Sequence, residues 1–116
     1  MDNAYTYEGR DLLHIYQEFT PTTAIYDPKV EGDYITAGLV GEIGEIYSLM
    51  AKYHRDGTDY SEFRDKLKSE LGDVMWFLSQ MANYYGFDMR GIVMDNMDKL
   101  IDRQGRNVIG GSGDDR

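Results

Sequence analysis

Two pairs of acidic residues interrupt stretches that are otherwise rich in apolar residues and glycine. Glu42 and Glu45 lie in GEIGEIYSLM, and Glu70 and Asp73 lie in KSELGDVMWF. On a helix, a spacing of three residues separates two side chains by about 60°. Each pair is therefore expected on one side of its helix, at the border of the apolar face.

The two pairs are also equidistant from a predicted bend, because their midpoint falls in the turn Asp56-Gly57-Thr58. In an antiparallel hairpin of helices, equal distances from the bend place side chains at the same height. Four carboxylates at one height would repel each other unless a cation neutralises them. For Glu42 and Glu45 taken alone, a solvated helix face is the simpler interpretation, and the second pair favours a metal site.

Oxygen ligands alone favour Mg²⁺, with Mn²⁺ as an alternative, over Zn²⁺. Because Mg²⁺ often completes its coordination with phosphate oxygens, the pattern indicates a nucleotide or another phosphate substrate. A di-iron site is the competing interpretation, but it requires paired Glu-x-x-His motifs. Neither His14 nor His54 follows a glutamate at that spacing.

The elements that would position these side chains are all predicted to be helices, in a four-helix-bundle-like, all-α fold. The only prolines, Pro21 and Pro28, separate an early helix from a chain free of proline. Asp59, with Glu62 three residues later, and Asp88 are typical helix caps. The predicted helices span about 7–20, 33–54, 60–85 and 88–104, with apolar residues at helical spacing in the last three.

Polar side chains on the fourth helix provide possible phosphate donors. One face of this helix carries Asn96, Lys99 and Arg103. Lys52 follows the first acidic pair on the second helix. This face could bind phosphate oxygens and a base or sugar. Pairing with aspartates of the same helix is an equally simple interpretation.

Three glycines inside the second helix add a separate indication. Gly38, Gly41 and Gly44 each cost about 1 kcal/mol relative to alanine in a helix. Close packing of another helix or close approach of a ligand would compensate for this cost.

Composition limits the possible functions of the 116-residue chain. Its net charge of −9 argues against nucleic-acid and membrane-surface partners. The absence of cysteine, of a long apolar run and of a signal-peptide core in Met1–Arg10 favours a cytoplasmic location. We expect one helical domain over 1–104, followed by a mobile glycine-rich tail over 105–116.

These residues together resemble a known family. GLVGEIGEI followed by SELGDVMWFL is similar to the E-x-x-E…E-x-x-D signature of MazG-like nucleotide pyrophosphohydrolases, in the all-α NTP pyrophosphatase superfamily. The resemblance extends to YQEF and TTAIY near the start, to NMDKLIDRQGR and to the ending NVIGGSGDDR. Phosphoribosyl-ATP pyrophosphohydrolases share the signature, but this ending favours the MazG-like branch.

The resemblance implies hydrolysis of a nucleoside triphosphate to a monophosphate and pyrophosphate by a homodimer or homotetramer. It implies Mg²⁺ bound by Glu42, Glu45, Glu70 and Asp73, and one carboxylate that acts as a base on the attacking water. Our choice for this base is Glu45. It also implies nucleotide contacts from Lys52, Asn96, Lys99 and Arg103. Many relatives have two consecutive glutamates where this chain has Gly41 and Glu42, so the number of metal ions can differ.

A function of a different class is compatible with the same residues. A non-catalytic helical module that binds a nucleotide or a divalent metal as a regulator would carry the same carboxylate pattern. Consumption of the nucleotide distinguishes the two functions.

Overall fold

The computed structural model describes residues 11–116, and within this range the chain forms four α-helices and no strand. The helices are α1 (Leu12–Phe19), α2 (Glu31–Asp56), α3 (Tyr60–Tyr85) and α4 (Met89–Gly105), and two short 3₁₀ segments, Thr20–Thr23 and Pro28–Val30, lie between α1 and α2. The all-α prediction is confirmed. None of the described helices is long and apolar enough to cross a membrane.

The predicted helix boundaries agree with the structure to within about two residues, except at the start of α1. The prediction for α3 matches at both ends, whereas α2 extends two residues further in each direction. Helix α1 begins at Leu12, because Asp11 is its N-cap and is not itself helical. The predicted residues 7–10 lie outside the described part of the chain. Asp59 and Asp88 cap α3 and α4 through backbone N–H groups of Glu62 and Arg90, as predicted.

The α2–α3 hairpin is the principal packing unit, because these two helices share far more close contacts than any other pair of elements. Gly57 ends α2 in the left-handed region with a φ of 63°, a conformation that glycine adopts without steric cost. The chain then re-enters a helix at Tyr60, which leaves a short connection and makes the two helices antiparallel.

Close packing across the hairpin explains one of the three helix glycines. A Cβ atom at Gly38 would overlap the ring of Phe77, so the absence of a side chain lets α2 approach α3. At Gly41 and Gly44, a Cβ atom would meet no atom of the described chain within 4 Å. The compensation for these two glycines therefore lies outside the contacts of the described residues.

Polar contacts, one of them fully buried, attach the segment between α1 and α2 to α3. The hydroxyl groups of Thr20 and Ser79, both fully buried, lie 2.7 Å apart. The Trp76 indole N–H donates to Thr23 Oγ1 at 2.7 Å, and the buried Gln80 amide donates to the hydroxyl of Tyr26 at 2.7 Å. These contacts fix residues 20–26 along the second half of α3.

Helices α1 and α4 are joined by a reciprocal pair of polar contacts at their first turns. Asp11, which caps α1, accepts a contact of 2.9 Å from Arg90 of α4. Asp88, which caps α4, lies 3.0 Å from His14 Nε2 of α1. Each cap therefore also binds the other helix, and α4 has α1 as its main close neighbour.

The predicted apolar face of α4 remains exposed within the chain. Val93, Met97, Leu100 and Ile101 are each between 42% and 60% exposed. The one buried residue of α4 is Arg103, which the returning tail covers through Gly113 and Asp114. Mobility of the tail stays a prediction, since the structure holds it by hydrogen bonds to α4.

The contact between Thr20 and Ser79 predicts a non-additive effect on stability. Thr20→Val removes one hydroxyl and leaves Ser79 buried without its partner, which should lower the free energy of unfolding by about 1–3 kcal/mol. The double variant Thr20→Val/Ser79→Ala should recover much of this loss, because no polar atom is then unpaired. Urea unfolding followed by circular dichroism measures both values.

Thr36→Val is the matched control. The hydroxyl of Thr36 is exposed and donates to the Gly32 carbonyl oxygen of its own helix. Its removal should change stability by less than about 0.5 kcal/mol. Equal effects of the two single threonine variants would contradict the role given to the buried pair.

Candidate metal centre

Three of the four predicted carboxylates converge across the hairpin. Glu42 of α2 and Glu70 and Asp73 of α3 each offer one oxygen, and these three oxygens all lie within 4.8 Å of one another. Glu42 and Glu70 are partly buried, and Asp73 is exposed at the rim. We call these three side chains the carboxylate group.

The surroundings of Glu42 disfavour the ionisation of this carboxyl. Burial is the largest cause that raises the pKa of Glu42, followed by its hydrogen-bonding contact with Glu70 and by the negative charges of Asp73, Glu70 and Glu45. When folding raises the pKa of a carboxyl group, the free energy of unfolding of the protein falls as the pH rises above the ordinary pKa of that group. A divalent cation would reverse this penalty.

One atom of the carboxylate group lacks the partner that burial normally requires. Among the described residues, Glu70 Oε2 is the only buried side-chain oxygen or nitrogen without a hydrogen bond. A buried acceptor left unpaired costs about 1–3 kcal/mol. An oxygen-preferring cation would provide that partner, so the donor set fits Mg²⁺ or Mn²⁺ in both chemistry and charge.

Glu45 is the predicted ligand that lies outside the carboxylate group. Its side chain is exposed, yet its negative charge is one of the causes that raise the pKa of Glu42. The carboxylate of Glu45 is therefore near the group without being part of the set of oxygens within 4.8 Å. Its role as a metal ligand stays a prediction.

The predicted phosphate donors have other surroundings. Lys99 and Arg103 both bind the tail carboxylate of Asp114, at 3.2 and 2.9 Å, and not the carboxylate group. Asn96 lines a shallow pocket with Lys99. Lys52 is exposed on α2. The structure thus places Lys99 and Arg103 together, beside the tail.

Sequence reasoning missed two residues that the structure brings to these places. Burial chiefly, and the negative charge of Asp73 second, raise the pKa of the Tyr16 phenol, so Tyr16 of α1 lies in the electrostatic field of the carboxylate group. In the sequence, Tyr16 is marked only by the YQEF segment, which is part of the family resemblance. Asp114 gave no periodic signal, because it contacts α4 only through the fold of the tail.

Comparison with known proteins identifies the family of the chain. The family model of the MazG nucleotide pyrophosphohydrolase domain matches residues 31–107, which include the carboxylate group and all of α4. The class of protein is defined by the all-α architecture, by a set of oxygen donors of the type that binds divalent metals, and by this match. The chain belongs to the MazG nucleotide pyrophosphohydrolase family, whose members are typically dependent on a divalent metal.

A curated relative is similar over nearly its whole length. The chain is 44% identical over 112 residues to "Gene 37 protein" of Mycobacterium phage L5. The aligned region covers 90% of this chain and 98% of that protein. No solved structure matches the chain.

Neutralising one member of the carboxylate group should separate repulsion from metal binding. Glu70→Gln removes a negative charge and gives the buried position an amide that can donate to a neighbouring carboxylate. We expect a higher melting temperature without metal and a smaller rise on addition of Mg²⁺. For the wild type, a ligand at about 100 times its Kd adds about 2.7 kcal/mol. Differential scanning calorimetry with and without Mg²⁺ measures both effects.

Asp65→Asn is the control for charge alone. Asp65 is on α3, about 140° around the helix from Glu70, and is not a member of the carboxylate group. This variant should keep the full rise with Mg²⁺. A Glu70→Gln protein that kept the same rise as the wild type would show that the metal binds elsewhere.

Proposed function

We propose that the chain hydrolyses a nucleoside triphosphate, either NTP or dNTP and either standard or modified, to NMP and pyrophosphate with Mg²⁺. The observation that carries this proposal is the convergence of Glu42, Glu70 and Asp73 around the unpartnered Glu70 oxygen. Membership of the MazG family gives the reaction class. Mn²⁺ is the alternative ion, and the proposal keeps the cytoplasmic location.

In this proposal, Glu42, Glu70 and Asp73 hold the cation, and Glu45 is the predicted further ligand. When bound, Mg²⁺ supplies positive charge to the phosphate oxygens and to the leaving pyrophosphate. The location of Glu45 near the group but outside the set of close oxygens also suits a base. A carboxylate oxygen of Glu45 accepts a proton from water, whose oxygen bonds to the α-phosphorus as the bond to the bridging oxygen breaks.

Donors on α2 and α4 would contact the remainder of the nucleotide. Lys52 is exposed on α2, and its charge is one of the smaller causes that lower the pKa of Asp56, after the Arg55 hydrogen bond. Asn96 and Lys99 share a pocket of about 510 Å³. Together with Arg103, these side chains would offset phosphate charge in a protein of net charge −9.

We also propose that the functional form is a homodimer or homotetramer. The radius of gyration of 17.5 Å exceeds the value of about 13 Å for a compact domain of this length. An apolar groove of about 530 Å³ lies between the end of α3 and the start of α4, lined by Leu78, Met81, Ala82, Tyr85, Phe87, Met89, Ile92 and Val93. A second copy would bury this groove and the exposed face of α4.

The identity of the products tests the proposed reaction. Incubation of the protein with a panel of standard and modified NTPs and dNTPs and Mg²⁺ should release NMP and pyrophosphate, as measured by chromatography. Release of NDP and orthophosphate would reject cleavage at the α-phosphorus. A nucleotide that raises the melting temperature without being consumed would support a non-catalytic binding module instead.

Two conservative substitutions test the residues assigned to the reaction. Glu45→Gln and Asp73→Asn should each lower kcat at least about 100-fold, because a base or a metal ligand is lost, while circular dichroism keeps its helical signal. Asp65→Asn, which makes the same change as Asp73→Asn elsewhere on α3, should retain activity. Full turnover by Glu45→Gln would remove Glu45 from the mechanism.

A charge placed in the apolar groove tests the assembly. Ile92 lines the groove and is 47% exposed, so Ile92→Glu should dissociate the oligomer because a buried unpaired charge is costly. Ile25→Glu introduces the same charge at a site that is 97% exposed and outside the groove, and it should preserve the wild-type mass. Sedimentation velocity measures both. A monomeric wild type at micromolar concentration would refute the assembly.

A further inference from the structure

One carboxylate of the tail binds two cationic side chains in the second half of α4. Lys99 Nζ lies 3.2 Å and Arg103 Nη2 lies 2.9 Å from the same oxygen, Asp114 Oδ1. Arg103 also donates to the Gly113 carbonyl oxygen at 3.4 Å. Two positive charges that converge on one oxygen form a binding site for an anionic group, and Asp114 fills it from within the chain.

The tail is folded so that it delivers Asp114 to this place. The Val108 N–H donates to the Arg103 carbonyl oxygen at 2.9 Å and turns the chain back at the end of α4. Arg116 then donates to the carbonyl oxygens of Val108 and Gly113, at 3.1 and 2.7 Å, and closes the loop. Gly113 has a φ of 79°, a conformation that other residues adopt only with strain.

The three charged side chains differ in exposure in a way that makes Asp114 replaceable. The Arg103 side chain is 5% exposed, whereas Asp114 is 80% exposed and Lys99 is 41% exposed. A buried guanidinium requires an anionic partner. Asp114 itself is largely exposed, so burial does not hold it in that position. An anion with more charge and more acceptor oxygens than a carboxylate could take its place from the solvent side.

We propose that the tail is an autoinhibitory latch, in which Asp114 occupies the anion site of Lys99 and Arg103 and is displaced by the phosphate groups of a nucleotide or by free pyrophosphate. The proposal rests on the proposed function, because it gives these cations an anionic ligand. In this proposal, the mobility predicted for the tail belongs to the open state, in which Asp114 has left Lys99 and Arg103.

The ionisation state of Asp114 agrees with this arrangement. The hydrogen bonds from Arg103 and then Lys99 lower the pKa of Asp114, and the positive charges of both residues lower it further. Near neutral pH the carboxylate is therefore charged, and it competes with phosphate by the same interaction.

Pyrophosphate binding to the full-length chain in metal-free buffer tests the latch, with isothermal titration calorimetry as the measurement. Asp114→Asn should increase the affinity for pyrophosphate about two- to fivefold, the range expected when one exposed ion pair no longer competes. Asp115→Asn removes the same charge one residue later and should stay close to the wild type. Weaker binding by Asp114→Asn than by Asp115→Asn would overturn the latch, as would an absence of binding to any variant.

A second pair of variants opens the loop without any change of charge. Gly113→Ala strains the left-handed turn and should also increase the affinity for pyrophosphate, whereas Gly110→Ala, at a position with open space and no positive φ, should not. Hydrogen exchange of residues 107–116 in the wild type should become faster on addition of pyrophosphate. Unchanged exchange at saturating pyrophosphate would overturn the proposal.

These measurements do not require turnover, so the two proposals fail in different ways. A wild-type protein that binds pyrophosphate with faster exchange of the tail, but releases no NMP from any nucleotide, would contradict only the proposed reaction. A protein that releases NMP, but shows no difference between Asp114→Asn and Asp115→Asn, would contradict only the latch.

Discussion

Repulsion between carboxylates at the edge of the α2–α3 hairpin is the interaction on which the site and its chemistry depend. Packing brings Glu42, Glu70 and Asp73 together, and folding raises the pKa of Glu42. The same packing leaves a Glu70 oxygen buried without a partner. Such an arrangement is unfavourable for the chain alone and becomes favourable when a cation is bound. A bound cation would therefore contribute part of the stability of the hairpin.

The rest of the fold maintains the register that creates this repulsion. Gly57 sets the bend, and Gly38 allows Phe77 to lie directly against α2. A slip of the two helices would separate the carboxylates, and it would also break these contacts. The buried pair of Thr20 and Ser79 adds a polar constraint, because a shift of this segment along α3 would break the contact between the two buried hydroxyl groups. Stability elsewhere in the chain thus supports a locally unfavourable centre.

Much of this fold follows from local chemistry and was predictable from the sequence. The caps at Asp59 and Asp88, the break at Gly57 and the equal spacing of the acidic pairs all act over a few residues. The separation of Glu45 from the carboxylate group was not predictable, since it depends on side-chain directions that equal height does not determine. The contact of Asp114 with Lys99 and Arg103 depends on three turns of the tail, and no periodicity reports such a path.

Charge is separated along the chain in a way that relates the two sites. The hairpin concentrates negative charge without a partner, whereas the positive charges of Lys99 and Arg103 at the end of α4 are only partly offset by Asp114. A polyphosphate that approaches a protein of net charge −9 therefore meets repulsion at the hairpin and a reduced positive charge at the end of α4. A cation at the hairpin would reverse the field at the first, and opening of the tail would uncover positive charge at the second. A nucleotide together with its metal ion could do both, which would couple selection of the substrate to the charge that the ligand brings.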